Sequence, residues 1–324
     1  MSLRVAVIGC GAAARRLHLP AMRDAGADVV AFASGSRASA SAAAADWGGG
    51  IVYDDWRTAI EAAGVDAVDI CTPNHLHAEI AIAAARAGKH VLVEKPIAPT
   101  LAEADAMIDA AADAGVVLMV AHSARYAPPV RAILAAVRAG AIGTVRSARA
   151  VLRNEGPEVW SPDSTWFTDP ARSGGGALLD LGVHVADLLR AVFERDAFEV
   201  TAMCRPEAPA EVEAHAVIRF EDDALATMQI GWDSGSGPDV VVEVAGEAGV
   251  IRFDGARAPV VRAADRESDV PPQEPDDAVA AFARAVAGRE APAVTGEDGR
   301  AALSIVMAAY SSARTCTTTK VDRR

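Results

Sequence analysis

Aromatic side chains are scarce in this sequence, at 5% of 324 residues, which leaves little material for the stacking platforms that hold single-stranded nucleic acid. Positive charge is also short: 31 lysines and arginines face 44 aspartates and glutamates, for a net charge of −13. A nucleic-acid binder needs the opposite excess to displace condensed counterions, and so does a protein held electrostatically on an anionic membrane. No apolar run approaches the ~20 residues of a membrane span. The four cysteines, Cys10, Cys71, Cys204 and Cys316, stand far apart without a Cys-x-x-Cys pair. Neither a disulfide framework nor a zinc ribbon is expected, and a reducing compartment fits. Residues Met1 to Gly9 run into a short strand and glycines, not the apolar core and cleavage site of a secretory leader, so the expected location is cytoplasmic.

What is present is ordinary globular material. Hydrophobic residues make up 51% and charged residues 23%, too apolar for a disordered chain and long enough for two domains. Apolar β-branched runs at Leu3 to Ile8, Asp28 to Ala33, Val65 to Cys71, His90 to Val93 and Val116 to Ala121 have the length of strands buried on both faces. Alanine-rich helical segments separate them, such as Ala78 to Ala87 and Leu101 to Ala114. Thr100 with Glu103 reads as a capping box, and Gly88 and Gly115 stand where C-terminal caps belong. This alternation predicts a doubly wound parallel sheet over 1–122.

The pattern changes over 123–324. A helix is expected from Pro129 to Ala139, then strands at Val145 to Leu152, Glu199 to Cys204, Val212 to Phe220, Ala224 to Trp232, Val240 to Ala245 and Val250 to Phe253. Short turns between several of them predict antiparallel pairing. One helix, about Gly176 to Phe193, interrupts this α+β domain with its open, mostly antiparallel sheet. Asp265 to Pro275 reads as a loop. Helices near Asp276 to Ala287 and Gly296 to Ala313 follow, and the C-terminal helices at about 276–314 are candidates to pack back on the first domain.

Gly9-Cys10-Gly11-Ala12-Ala13-Ala14 reads G-x-G-x-x-A between a strand and a helix, the context that makes the motif informative. Gly9 permits the tight turn and Gly11 lets the backbone approach a pyrophosphate. Ala12 and Ala13 open the helix whose free N–H groups and dipole face the phosphates. The bland alternative is a glycine turn with no ligand. In an NAD site a carboxylate ends the second strand and binds the ribose hydroxyls; here Ser34 stands in that place. Ser34 and Ser36 can donate to a 2′-phosphate and Arg37 can pair with it, so NADP is favoured over NAD. Against this, Arg37 is equally a solvated helix residue.

Two further blocks carry a resemblance: Cys71-Thr72-Pro73-Asn74-His75-Leu76-His77 with Glu94-Lys95-Pro96, and Gly174-Gly175-Gly176 running through Asp180 to His184 and Asp187. In register with the glycine loop, they closely resemble the Gfo/Idh/MocA oxidoreductase family across nearly the whole chain. The resemblance implies an N-terminal Rossmann domain, a C-terminal α/β domain for substrate binding and oligomerisation, and substrate between them. It also implies NAD(P)-linked oxidation or reduction at a carbinol carbon of a sugar, polyol or cyclitol. It makes Lys95 the contact to the nicotinamide ribose and reacting hydroxyl, with a cis bond to Pro96, His184 the general acid/base, and Asp180 the residue that fixes substrate. Thr72, Pro73, Asn74, His77 and Glu94 then belong to the cofactor site.

The chemistry of the residues agrees. Thr72-Pro73-Asn74 and Glu94-Lys95 each follow a parallel strand, where open α/β sheets bind ligands. An ammonium at Lys95 lowers the cost of a developing alkoxide. Asp180 and His184, spaced i, i+4, share a helix face, and an imidazole titrates where an alcohol proton must be exchanged. The bland alternatives are a surface lysine and a surface ion pair. Arg125, Tyr126, Asn154, Trp166 and Arg172 are candidate contacts to a polyhydroxylated substrate. His75 and His77 have a spacing seen in metal sites but lack an accompanying thiol or carboxylate cluster, so no metal is expected; His18, His90 and His215 read as structural. An alternating sheet face in the second domain is a candidate homodimer or homotetramer surface. Two functional alternatives remain open: a non-redox sensor or scaffold, and a hydrolase or epimerase that keeps its nucleotide bound.

Overall fold

The β-branched runs and the alanine-rich segments between them fold as their alternation predicts. The computed structural model describes residues 2–162, 164–205, 210–235, 239–263 and 266–324. The chain divides into two compact units, Met1–His122 with Asp276–Arg300 and Ser123–Pro275 with Ala301–Arg324.

In the first unit β1 (Arg4–Ile8) leads through a π-helical turn (Ala14–His18) into α1 (Leu19–Asp24). Then follow β2 (Asp28–Ala33), α2 (Arg37–Trp47), β3 (Ile51–Tyr53), α3 (Trp56–Ile60), β4 (Ala67–Ile70), α4 (His77–Arg86), β5 (His90–Glu94), α5 (Leu101–Ala114) and β6 (Leu118–Ala121). The six strands pair in parallel in the order β3-β2-β1-β4-β5-β6. The order reverses between β1 and β4, and the crevice beyond the strand ends there is where such sheets bind ligands. Phe32, Ile8, Ile70, Ile80 and Leu92 are fully buried in its core. Thr100 caps α5 by accepting the Glu103 amide and donates its hydroxyl to the Glu103 carboxylate at 2.7 Å. Gly115 closes α5 at φ 63°.

The second unit contains α6 (Pro128–Arg138), β7 (Val145–Arg153), three single-turn helices α7 (Pro157–Trp160), α8 (Pro170–Ser173) and α9 (Ala177–Asp180), and α10 (Gly182–Phe193). Strands β8 (Ala197–Arg205), β9 (Glu213–Phe220), β10 (Leu225–Gly231), β11 (Asp239–Gly246), β12 (Gly249–Phe253), β13 (Val260–Ala263) and β14 (Arg266–Asp269) follow. Helix α11 (Ala278–Val286) belongs to the first unit, and α12 (Gly296–Thr315) runs from the first unit's residues into the second's, before β15 (Thr319–Lys320). The nine-stranded sheet runs β14-β13-β12-β11-β7-β10-β9-β8-β15. Only the β7–β10 pairing among its described ladders is parallel.

Two local readings are corrected. The expected loop at Asp265 to Pro275 contains strand β14; Asp265 itself lies outside the described residues. Its four residues are polar and exposed on the sheet edge, so nothing apolar alternates to announce them. The expected single helix from Gly176 to Phe193 is two, α9 and α10. Glycine at 182 weakens the helix there, and the His184 amide bonds the Leu181 carbonyl only three residues back. Leu181 keeps right-handed angles (φ −94°, ψ −33°), so the segment bends without reversing.

Thr100→Ala removes the α5 cap and should lower stability by about 1 kcal/mol, read as a shifted urea midpoint.

Candidate active site

The glycine loop is built by steric necessity. Gly9 has φ +93°, and a Cβ there would stand 2.5 Å from the Cys71 carbonyl carbon and oxygen. Only glycine lets the β1 turn pass this close to the end of β4. At Gly11 an added Cβ meets no protein atom within 4 Å, so the space in front of the loop is open. Beside it the Thr72 hydroxyl is buried with no protein partner among the described residues. A buried hydroxyl without a partner costs free energy, and a ligand atom would satisfy it. Open loop, helix start and orphan hydroxyl together fit a bound dinucleotide, with Gly9, Gly11, Ala12, Ala13 and Thr72 as the residues that would hold it.

The rest of the predicted nucleotide set lies in the same unit. Ser34 follows β2 and accepts the Cys10 amide at 3.3 Å. Ser36 is the N-cap of α2. Arg37, expected to face a 2′-phosphate, is exposed and ion-paired with Asp54. Pro73 and the buried Asn74 follow β4. His77 is fully buried, its ring nitrogens 2.9 Å from the Thr72 and Pro96 carbonyl oxygens. It ties the loops after β4 and β5 together, and burial holds its pKa below the usual value despite those two carbonyls. His75 is exposed, so the two histidines do not converge as a ligand pair. Glu94 ends β5, the half-buried Lys95 follows it, and the Lys95–Pro96 bond is cis.

In the second unit, Gly174 to Gly176 bring the chain against a clamp. The Glu211 carboxylate accepts the Gly176 and Leu178 amides at 3.0 Å, and the Tyr310 hydroxyl donates to it at 2.6 Å. A Cβ on Gly175 would stand 2.2 Å from that hydroxyl, and one on Gly176 2.2 Å from the Glu211 carbonyl oxygen. The clamp fixes the start of α9, which ends at Asp180. Asp180 is 8% exposed and accepts the Trp232 indole N–H at 3.2 Å. His184 follows in the first turn of α10.

Arg125, expected to touch substrate, is engaged within its own unit. Its guanidinium makes a two-pronged pair with the buried Asp187 of α10, Nε to Oδ2 at 2.8 Å. Tyr126 is buried beside it in sequence. The Asn154 side chain accepts the Gly156 amide at 2.9 Å. Trp166 stacks on Phe167 with centroids 3.7 Å apart, and Arg172 is exposed in α8. Trp232, Glu211 and Tyr310 were not foreseen, nor was a buried chain joining His18 to Asp69 and Glu94 at 2.9 Å on each side. The signal for that chain was Asp69, a carboxylate inside the apolar strand Ala67–Ile70.

A parallel sheet of this order with an open glycine loop at its switch point defines a dinucleotide-binding fold. The sequence profile of the oxidoreductase family with an NAD-binding Rossmann fold matches residues 3–122, and that of the GFO/IDH/MocA C-terminal domain matches 130–252. The chain is 34% identical to a 1,5-anhydro-D-fructose reductase from Ensifer adhaerens, over 96% of each chain. It is 30% identical to a myo-inositol 2-dehydrogenase from Thermotoga maritima, over 80% of this chain and 81% of the relative. A solved levoglucosan dehydrogenase in complex with NADH and levoglucosan superposes with a TM-score of 0.88, at 28% identity and full coverage of both chains. The chain belongs to the Gfo/Idh/MocA oxidoreductase family. It is an enzyme, a nicotinamide-dependent dehydrogenase or reductase of CH–OH groups. No helix of the described residues is long and apolar enough to cross a membrane.

The two loop glycines should separate by mutation. Gly11→Val should abolish nucleotide binding in a fluorescence titration while the thermal melt is nearly unchanged. Gly9→Ala should instead lower the melting temperature, because its Cβ meets backbone.

Proposed function

We propose that the protein transfers a hydride between a nicotinamide nucleotide, NADP(H) by preference, and a carbinol or carbonyl carbon of a sugar, polyol or cyclitol. The observation that carries this reading is the buried, Trp232-bound Asp180 carboxylate four residues before His184, on a segment clamped by Glu211. A sensor or scaffold has no need of a proton-transfer residue so held. The named relatives act on cyclic polyhydroxylated molecules or their anhydro forms, which supports the substrate class.

When bound, the nicotinamide supplies the hydride acceptor or donor. His184 takes the hydroxyl proton during oxidation and returns it during reduction. Asp180 holds a substrate hydroxyl, its own orientation set by the indole. The Lys95 ammonium stabilises the developing alkoxide. Tyr126, Asn154, Trp166 and Arg172 contribute to the substrate's remaining contacts, whereas Arg125 acts through Asp187 to hold α10. The first unit is the nucleotide-binding domain and the second the substrate and oligomerisation domain. On the second unit's sheet, Met203 is 77% exposed, with Val217 and Leu225 also exposed; such an apolar patch fits a homodimer or homotetramer contact. The protein's place is the cytoplasm, and it needs no nucleic-acid or membrane partner.

Ser34 at the end of β2 supports NADP, since no carboxylate there repels a 2′-phosphate. The Arg37–Asp54 pair favours a second reading, NAD, because Arg37 must leave Asp54 to reach the phosphate. Initial rates with both nucleotides over a panel of sugars and cyclitols decide between them. Wild type should favour NADP, and Ser34→Asp should move preference toward NAD by tenfold or more, on the order of 1.4 kcal/mol. A tenfold preference of wild type for NAD selects the second reading. Tightly held nucleotide with no net turnover on any substrate would favour a hydrolase or epimerase.

His184→Ala should lower turnover by roughly two to four orders of magnitude with nucleotide affinity nearly unchanged. Lys95→Ala should impair both. Near-normal turnover of the histidine variant on the true substrate would move proton transfer elsewhere.

A further inference from the structure

His18 closes the π-helical turn that follows the phosphate loop, where the Leu19 amide bonds the Ala14 carbonyl five residues back. Its side chain is 5% exposed. Nδ1 lies 2.9 Å from Asp69 Oδ1 on β4, and Nε2 lies 2.9 Å from Glu94 Oε1 on β5. The second oxygen of Glu94 accepts the Lys95 backbone amide at 3.0 Å. The Cys71 thiol faces the second oxygen of Asp69 at 3.5 Å. A chain of contacts therefore runs from β4 through the imidazole to the backbone of Lys95, entirely within one unit.

An imidazole can donate at both nitrogens only as its cation. A neutral ring would turn a lone pair on one carboxylate and leave two buried anions with no cation between them, which low-dielectric surroundings penalise heavily. His18 Nδ1, Asp69 and Cys71 lie close enough together to suggest a metal cluster. A ligating nitrogen, however, must present its lone pair to the ion, and here both nitrogens face carboxylate oxygens at hydrogen-bond distance. Burial alone pushes the His18 pKa down, but the charge of Asp69 and the hydrogen bond to it carry it well above its ordinary value. Burial pushes Glu94 up, and its contacts with His18 and Lys95 bring it below the usual carboxylate range. The remaining charged or titratable groups nearby are Cys10, which feels the Asp69 charge, with Arg15 beyond it on its exposed pair with Asp46, and His77, which feels the Glu94 charge. Burial raises the Cys10 and Cys71 thiols, so both stay uncharged.

We propose that His18 is a positioning residue: its doubly hydrogen-bonded ring locks the Glu94 carboxylate that anchors the Lys95 backbone, and so sets where the Lys95 ammonium stands. This rests on the reading that Lys95 meets the reacting hydroxyl. An imidazolium keeps Glu94 ionised and aimed at the Lys95 amide. Without it, burial at Glu94 is no longer offset by the His18 contact, the carboxyl takes up a proton more readily, and a neutral carboxyl holds the Lys95 amide more weakly than a carboxylate does.

The test compares His18→Gln, Glu94→Gln, the double variant and Lys95→Ala, each loaded with nucleotide, over pH 5.5 to 9. His18→Gln should lower kcat ten- to a hundredfold and add an inflection to the kcat profile that wild type lacks. Glu94→Gln, with one acceptor oxygen for two donors, should lower kcat at least tenfold. The double variant, which restores a neutral donor–acceptor pair, should recover at least fivefold over His18→Gln and lose the new inflection. A merely structural histidine predicts a lowered melting temperature with no inflection and no recovery, and that result overturns the proposal. So does His18→Gln with turnover within twofold of wild type; if Lys95→Ala is then inactive, the Lys95 reading survives and only this proposal falls. Full turnover in Lys95→Ala removes both. Wild-type protein labelled with nitrogen-15 in its histidine rings gives a reading that needs no variant to fold. Both His18 nitrogens should carry protons at pH 8, and a bare lone pair on either one, as metal ligation would require, refutes the proposal.

Discussion

The contact of Gly9 with the end of β4 sets the geometry of the nucleotide-binding unit. Any Cβ at that position would drive β1 away from the Cys71–Thr72 backbone and open the sheet at its switch point. Because the approach is that close, the phosphate loop, the Thr72 hydroxyl and the residues after β5 converge on one crevice. The histidine that bridges Thr72 to Pro96 and the one that bridges Asp69 to Glu94 both span the β4–β5 neighbourhood this fixes. One glycine thus governs backbone spacing, and two buried imidazoles translate the spacing into the placement of side chains.

The second unit solves the same problem with charge. A carboxylate from the strand-side segment, Glu211, gathers amides at the start of α9 and the Tyr310 hydroxyl of α12. Its negative charge suits the positive end of a helix, and burial beside it drives the tyrosine's pKa well above the ordinary value, so the phenol remains a donor. The glycines of the motif are the spaces that let this clamp close. Asp180, held in turn by Trp232, inherits its position from that arrangement.

Much of this was legible in the amino-acid sequence, and the reasons differ by residue. The parallel strands announce themselves because burial on both faces demands unbroken β-branched runs. The capping box at Thr100 and Glu103 is legible because it is local. Strand β14 was hidden because exposed edges carry charge rather than alternation, a common guard against unwanted pairing. Trp232 and Glu211 were hidden because they stand 52 and 35 residues from the groups they hold, and no spacing rule spans such gaps. Arg125 was legible as a cation near a motif, but its partner Asp187 lies 62 residues on, and only the fold says that the pair is internal. His18 gave no local sign at all; its meaning comes from two carboxylates on different strands.

The path of the chain has a consequence for how the protein is made. Strand β6 ends the first sheet, and its outer edge is covered by residues near the other end of the sequence: the Val120 amide bonds the Val294 carbonyl, and Met119 bridges to Thr295. Gly296 and Gly299 sit so close to Leu118 and Val120 that a Cβ on either would fall within 3 Å. During synthesis, the nucleotide-binding unit therefore waits with an unguarded strand while more than half the polypeptide is still to come. Its last piece arrives only after most of the second unit has emerged from the ribosome. The nascent protein is held open at the edge most prone to wrong pairing, and its two halves must be finished together.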